Sequence, residues 1–386
     1  MIRLRGVGKR AVYGLGLMGP GPGIMLMRAC KSALLILLLS ALAPAQDDRD
    51  EPIRLRSDLV TVTASVRDGG NRPIKSLKAS DFAIYEDGVR QKIDHFGTAE
   101  VPFALMLLLD ISGSTTGDIE LIKRAAKSFV SQLRPDDRVG VIVFGGEVEM
   151  ISEFDDGRAR VEAAIDSIAP VMGTGEYRFT SKTGTSFYDA LFLAVEDSPL
   201  KKIEGRKAIV CLSDGVDSRS KLAYKDISPL VEKSEASFYF LNLNTEQATL
   251  EGLLKPRTDP GYVNFSQSQI DRYYAAVDPN SPERFRPREA ISPLMKREIN
   301  AWLYENASRE EREMAERTGG RVYPVNALTD LDAVYKQVAD ELRSQYSISY
   351  YPINDAHDGR WRKIKVDVRH PGATVRARSG YRAPGN

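Results

Sequence analysis

The stretch FALMLLLDISGSTTGD, residues 103–118, decides the fold class. Its unbroken apolar run, Phe103 to Leu109, predicts a strand buried on both faces, which is typical of a parallel sheet covered by helices. The strand ends on Asp110, and Ser112 and Ser114 follow. One interpretation is an ordinary turn, because small hydroxyl residues make local hydrogen bonds after strands. The alternative is that Asp110, Ser112 and Ser114 direct their oxygen atoms at one point.

Strand-like and helix-like segments alternate after this stretch. Further buried strands are predicted at DRVGVIVFG (137–145), RKAIVCLSD (206–214), ASFYFLNL (236–243) and RVYPV (321–325). This alternation predicts an α/β domain at residues 101–345, built on a doubly wound, mostly parallel sheet.

One segment of that domain interrupts the alternation. Residues 245–305 are polar, proline-rich and aromatic, so we expect an insertion with a helical part at PLMKREINAWLYENA (293–307). The charged segment SREEREMAER that follows predicts a helix with a solvent-exposed charged face, capped by Ser308.

The two ends of the mature sequence predict β structure. Residues 58–98 form an all-β unit with a hairpin turn at Asp87-Gly88, since this dipeptide supplies the positive φ angles of tight turns. Residues 346–386 contain three further strand-like segments. Because neither unit is large enough to be stable alone, we expect them to pair into a small all-β sandwich, in which the α/β domain is inserted.

Residues 1–45 have the pattern of a secretory signal peptide. Arg28 and Lys31 precede an apolar run over residues 33–42, and Ala43-Pro44-Ala45 provides small residues for cleavage near Ala45-Gln46. The run is shorter than the roughly 20 residues of a membrane span, and an uncleaved anchor is the alternative. We therefore predict an exported protein, periplasmic or secreted, with a linker at 46–57. Translation starts at Met1, Met25 or Met27.

The composition restricts the functional classes. Of the 54 basic residues, six lie in residues 1–45, which hold no acidic residue, so the remaining chain carries 48 basic against 53 acidic residues. This balance predicts no nucleic-acid partner. Cys211 is the only cysteine after the signal, which excludes an intrachain disulfide and indicates a buried thiol on a strand. The three histidines lie in unrelated segments, so a metal ion would be held by oxygen.

Two more segments supply oxygen ligands at the same edge of the predicted sheet. Thr185 lies in TGTSFYDAL, a loop that leads into a helix, and Asp214 follows the next buried strand in CLSDGVDS. Ligand sites of doubly wound sheets lie beyond the carboxyl ends of the strands. Two carboxylates and three hydroxyls at one edge suit a hard divalent cation such as Mg²⁺. We interpret Asp118 as a helix-start residue and Asp217 as an exposed turn residue.

The complete set resembles a von Willebrand factor type A (VWFA) domain. Asp110-x-Ser112-x-Ser114, the threonine of GTSFYDAL and the aspartate of SDG stand in the family's order on the family's elements. The resemblance implies a metal-ion-dependent adhesion site (MIDAS) made of Asp110, Ser112, Ser114, Thr185 and Asp214. The ion would be Mg²⁺, with Mn²⁺ or Ca²⁺ as alternatives. Over nearly all of the mature chain, the sequence is similar to bacterial secreted VWFA-related proteins of the acidobacterial type.

The resemblance implies that the cation binds a Glu or Asp carboxylate of a protein partner, as in adhesion modules. A scaffold protein with a bracing metal ion and a metal-assisted hydrolase are the alternatives. We predict no enzyme, because the sequence lacks a nucleophile elbow, a phosphate-binding loop and a His-Glu-x-x-His motif. The oligomeric state and the role of residues 245–305 stay open.

Overall fold

A computed structural model describes residues 59–98, 101–112, 119–168 and 184–385. The predicted signal peptide, the linker, Ser114 and Asp118 lie outside these residues. No helix within the described ranges combines the length and the apolar character that a membrane span requires.

The strands of the described residues form three sheets. They are β1 (Val60–Arg67), β2 (Phe82–Glu86), β3 (Val89–Gln91), β4 (His95–Gly97), β5 (Phe103–Asp110), β6 (Arg138–Phe144), β7 (Val148–Ser152), β8 (Arg206–Ser213), β9 (Ser237–Leu243), β10 (Arg321–Val325), β11 (Gln345–Tyr350), β12 (Trp361–Val368), β13 (Thr374–Ala377) and β14 (Gly380–Arg382).

The α-helices of the described residues pack mainly against the largest sheet and its insertion. They are α1 (Ile119–Gln132), α2 (Arg158–Asp166), α3 (Phe187–Glu196), α4 (Tyr224–Lys233), α5 (Glu246–Leu254), α6 (Gln267–Val277), α7 (Pro293–Thr318) and α8 (Leu331–Leu342). Short 3-10 turns lie at Ala79–Asp81, Pro199–Lys202, Pro282–Phe285, Arg288–Ala290 and Leu328–Asp330.

The central sheet has six strands in the order β10-β9-β8-β5-β6-β7, and all neighbours are parallel except the antiparallel pair β6–β7. Every residue of β5 is buried. Leu105, Leu107 and Leu109 belong to the apolar core that includes α1 and α8. Met106 and Leu108 belong to the opposite core, with α3 and α4. The predicted doubly wound α/β fold is therefore confirmed.

Two four-stranded antiparallel sheets, β13-β1-β11-β4 and β14-β12-β2-β3, enclose a third apolar core. Strands from the two ends of the described chain pair directly, since β1 lies between β11 and β13, and β12 pairs with β2. Asp87 and Gly88 both have positive φ angles in the turn between β2 and β3, as their sequence predicts. Cys211 is fully buried on β8, also as predicted.

Helix α7 corrects the expectation for the charged segment. One continuous helix runs from Pro293 to Thr318, so Ser308 lies inside it rather than at its start. Ser292 is the N-cap, because its Oγ accepts a hydrogen bond from the Met295 amide at 3.2 Å. Glu310 and Glu311 are buried, so the prediction of a solvent-exposed charged face was also wrong at these two residues. The chain has no proline or glycine between 293 and 318 after Pro293, which lets the two segments join.

Three arginines and a buried glutamate join the α/β domain to the antiparallel sheets. Glu341 of α8 is fully buried and accepts hydrogen bonds from Arg67 of β1 at 3.0 Å and from Arg376 of β13. Arg206 of β8 donates to the carbonyls of Val101 and Leu342. These bonds fix the two positions where the chain enters and leaves the α/β domain.

We predict that Glu341→Ala lowers the free energy of unfolding by about 2–3 kcal/mol, because it removes the fully buried carboxylate that pairs with the half-buried guanidinium groups of Arg67 and Arg376. Denaturant unfolding of wild type and variant measures the difference. The control is Glu120→Ala, which removes an exposed pair with Lys123 and should leave unfolding unchanged. Equal stability of both variants would contradict the structural role of Glu341.

Candidate metal centre

Asp110 ends β5 with its side chain fully buried. The Ser112 amide donates to Asp110 Oδ1 at 2.9 Å, which turns the chain immediately after the strand. The Ser213 hydroxyl, from the end of β8, donates to Asp110 Oδ2 at 2.6 Å. The carboxylate is thereby held between two neighbouring strand ends.

Asp214 follows β8 directly and is only 6% exposed. Its Oδ1 accepts the Val216 amide at 3.0 Å, and its Oδ2 accepts the Thr245 hydroxyl at 2.5 Å. Burial raises the pKa of Asp214, and its hydrogen bonds oppose that rise.

The two carboxylates influence each other. Burial, and then the charge of Asp214, raise the pKa of Asp110 to about 7. Two acidic groups at one buried edge are unfavourable when both are ionised, and a divalent cation between them would relieve that repulsion. The donor set therefore fits a divalent cation.

Thr185 reaches the same edge through its backbone. The amides of Ser218 and Arg219 donate to the Thr185 carbonyl at 2.9 and 3.1 Å, so the loop before α3 is bound to the loop after β8. The next residue, Ser186, donates its amide to Gly145 at 2.8 Å, and Gly145 lies against the backbone of Ser112. These contacts bring Ser112, Thr185 and Asp214 to one end of the sheet.

Four of the five predicted ligand residues lie in described positions, and the fifth, Ser114, does not. Within the described residues, no group of three or more His, Cys, Asp or Glu side chains could hold a metal ion. The predicted set differs from such a group, since it combines two carboxylates with three hydroxyls. Its role as a metal site stays a prediction.

Asp217 is not the exposed turn residue that its sequence suggested. It is 3% exposed, and its Oδ1 accepts the Phe187 amide at 3.0 Å, the first amide of α3. Burial raises its pKa to about 6, although Arg272 of α6 lies 3.8 Å from Asp217 Oδ2. Asp217 therefore fixes the start of α3 to the loop after β8.

The insertion contributes residues that sequence reasoning missed. Thr245 and Tyr304 both lie within hydrogen-bond distance of Asp214 Oδ2. Thr245 follows the end of β9, so the strand-end rule that selected Asp110 and Asp214 also applies to it. Tyr304 lies inside a helix, and no sequence signal pointed to it.

Glu311 of α7 is a second missed group. Its Oε2 accepts the Asn242 side-chain amide at 2.6 Å, while its Oε1 makes no hydrogen bond within the described residues. Burial raises its pKa to about 8. Gly215 adjoins this carboxyl group, because a Cβ at Gly215 would lie 2.7 Å from Glu311 Oε1.

Residues 105–216 match the sequence profile of the von Willebrand factor type A domain, a range that includes all five predicted ligand positions. This chain contains a VWFA domain. The matched range ends before the insertion and α7, and it includes neither antiparallel sheet. A search of curated protein sequences finds no match to the chain.

Several solved structures are similar to the chain. Proximal thread matrix protein 1 from the mussel byssus is 13% identical over 75% of this chain and 50% of its own, with a TM-score of 0.39. Another structure of that mussel protein has a zinc-occupied MIDAS motif. BatB from Bacteroides thetaiotaomicron is 20% identical over 62% of this chain and 98% of its own, with a TM-score of 0.38.

A third similar structure is a von Willebrand factor type A protein from Catenulispora acidiphila. It is 10% identical over 85% of this chain and 74% of its own, with a TM-score of 0.39. The chain spans about half the length of the mussel protein that it matches.

We predict that Gly215→Ala lowers the free energy of unfolding by about 2 kcal/mol, because φ is +73° and the new methyl group would meet Glu311. Gly88→Ala is the matched control, since its φ is +84° and no atom lies within 4 Å of its Cβ. Thermal unfolding of both variants separates backbone strain from the contact. Equal losses of stability in the two variants would show that Glu311 of α7 does not contact the new methyl group at Gly215.

Proposed function

We propose that this protein is an exported protein-binding module that holds a divalent cation with Asp110, Ser112, Ser114, Thr185 and Asp214. VWFA domains mediate protein–protein interactions and bind divalent cations. The observation that carries the proposal is the pair of buried carboxylates, Asp110 and Asp214, at adjacent ends of parallel strands. The signal-like pattern of residues 1–45 supports export.

The neutral hydroxyls of Ser112, Ser114 and Thr185 would bind the cation without cancelling its charge, and the two carboxylates would balance that charge. A bound Mg²⁺ or Mn²⁺ would supply a Lewis-acidic position that accepts a carboxylate oxygen. A Glu or Asp side chain of a protein partner is the ligand that this chemistry favours, because a charged acceptor binds a cation more strongly than a neutral one.

A binding role agrees better with the chain than hydrolysis does. The histidines are at positions 95, 357 and 370, outside the α/β domain, so none is available there as a general base. The scaffold alternative, in which the ion only braces the loops, needs a direct test of whether the bound ion accepts a ligand.

We expect Mn²⁺ and Mg²⁺ to bind the purified protein saturably in calorimetric titration, and Asp110→Asn to abolish that binding, because it removes a charged ligand at a buried position. Asp155→Asn is the control, since Asp155 is an exposed aspartate in the same domain. The apo form of the Asp110→Asn variant should be at least as stable as wild type, because it loses a repulsive charge. Unchanged Mn²⁺ binding by Asp110→Asn would contradict the site.

An open coordination position distinguishes binding from bracing. In the Mn²⁺-loaded protein, exchanging water on the ion should enhance water-proton relaxation. A blocked tripeptide, Gly-Glu-Gly, should displace that water and reduce the enhancement, whereas Gly-Gln-Gly should not, because its side chain is uncharged. A response that is the same for both peptides would favour the scaffold alternative.

A further inference from the structure

The insertion contains a chain of hydroxyl groups that ends on Asp214. Tyr304 of α7 places its hydroxyl 2.8 Å from Thr245 Oγ1 and 2.8 Å from Thr249 Oγ1. The Thr245 hydroxyl in turn lies 2.5 Å from Asp214 Oδ2, and the Tyr304 hydroxyl lies 3.4 Å from the same oxygen.

Each of these hydroxyls has one proton to donate. The shortest contacts therefore form one directed chain, in which Thr249 donates to Tyr304, Tyr304 donates to Thr245, and Thr245 donates to Asp214. All three donors belong to the insertion, residues 245–305, and the final acceptor is the Asp214 carboxylate. Removing one hydroxyl breaks the chain at a known place.

The insertion also restrains Asp214 indirectly, through a hydrogen bond to its other carboxylate oxygen, Oδ1. Val216, whose amide donates to Asp214 Oδ1, packs against the apolar cluster of the insertion. The buried members of that cluster are Leu253, Phe265, Ile270, Tyr273, Tyr274, Ile299 and Leu303. Helix α7, which positions Tyr304, supplies two of these residues. Asp214 is thus held on both carboxylate oxygens by groups that depend on the packing of the insertion.

We propose that the insertion is a structural part of the metal site, in which Thr245 and Tyr304 are positioning residues that orient Asp214 toward the ion. This proposal rests on the metal site proposed above and assigns a role to residues 245–305. Second-shell hydrogen bonds to metal ligands typically change metal affinity about 10- to 100-fold. By linkage, an ion bound at Asp214 also stabilises the packing of the insertion.

The test is Mn²⁺ titration of four variants beside wild type. Thr245→Val keeps the side-chain shape and removes the donor to Asp214, and we expect at least about 10-fold weaker Mn²⁺ binding. Tyr304→Phe removes the next hydroxyl and should also weaken binding. Thr249→Val removes the outermost hydroxyl and should have the smallest effect of the three. Thr245→Ser keeps the hydroxyl donor and should bind Mn²⁺ nearly as tightly as wild type. If Thr245 acted only through the packing of its methyl group, Thr245→Ser would instead bind Mn²⁺ more weakly.

Tyr273→Phe is the matched control, since Tyr273 belongs to the same apolar cluster and packs against Tyr274 and Trp302. It should leave Mn²⁺ affinity unchanged. Should Thr245→Val fail to fold, hydrogen exchange on the wild-type protein replaces it. Mn²⁺ should then slow amide exchange in α5 and in the part of α7 around Tyr304.

The outcomes separate the two proposals. Absence of Mn²⁺ binding by wild type would remove the proposed function and this inference with it. Binding by wild type, with Thr245→Val and Tyr304→Phe equal to Tyr273→Phe, would overturn the inference alone. Tighter binding by Thr245→Val would also overturn it, because it would mean that Thr245 competes with the ion for Asp214. Unchanged amide exchange on Mn²⁺ addition would contradict the coupling.

Discussion

Strand β5 has no face toward water, and the arrangement of the domain depends on this constraint. Its alternate leucines pack into one helix layer, and Met106 and Leu108 pack into the other. Its neighbours β6 and β8 are parallel to it, so their carboxyl ends come to the same edge. A strand buried along its whole length can present polar groups only at its ends, and Asp110 is the group at that end. The position of the site is therefore a consequence of how the core is built.

The parts of this architecture that depend on local pattern could be predicted from the sequence. The run from Phe103 to Leu109 has no polar interruption, which is typical of a strand covered on both faces. Asp87-Gly88 identified a hairpin because few residues adopt two successive positive φ angles. Asp110 and Asp214 could be paired because strand ends of a parallel sheet share an edge. In each case neighbours in the sequence carry the information.

The remaining features depend on contacts between distant segments. Tyr304 reaches Asp214 across 90 positions, and nothing around it in the sequence distinguishes it from a core tyrosine. Glu310 and Glu311 lie in a segment whose composition is typical of a solvated helix, yet Tyr188 and Asn242 meet them from other elements. Asp217 is buried where the start of α3 and Arg272 of α6 meet the loop after β8. Burial of a polar side chain is set by what packs over it, and periodicity does not contain that information.

The pairing of β1 with β11 has a consequence for the order in which the chain assembles. Thr61 of β1 and Ser349 of β11 are hydrogen-bonded partners separated by 288 positions. During synthesis, β1 therefore leaves the ribosome long before its partner strand β11. Closing so long a loop from an unfolded chain is entropically unfavourable. A folded α/β domain would lower that penalty, because Arg206 binds the carbonyls of Val101 and Leu342, which lie where the chain enters and leaves the domain. We therefore expect the antiparallel sheets to close after the α/β domain has folded.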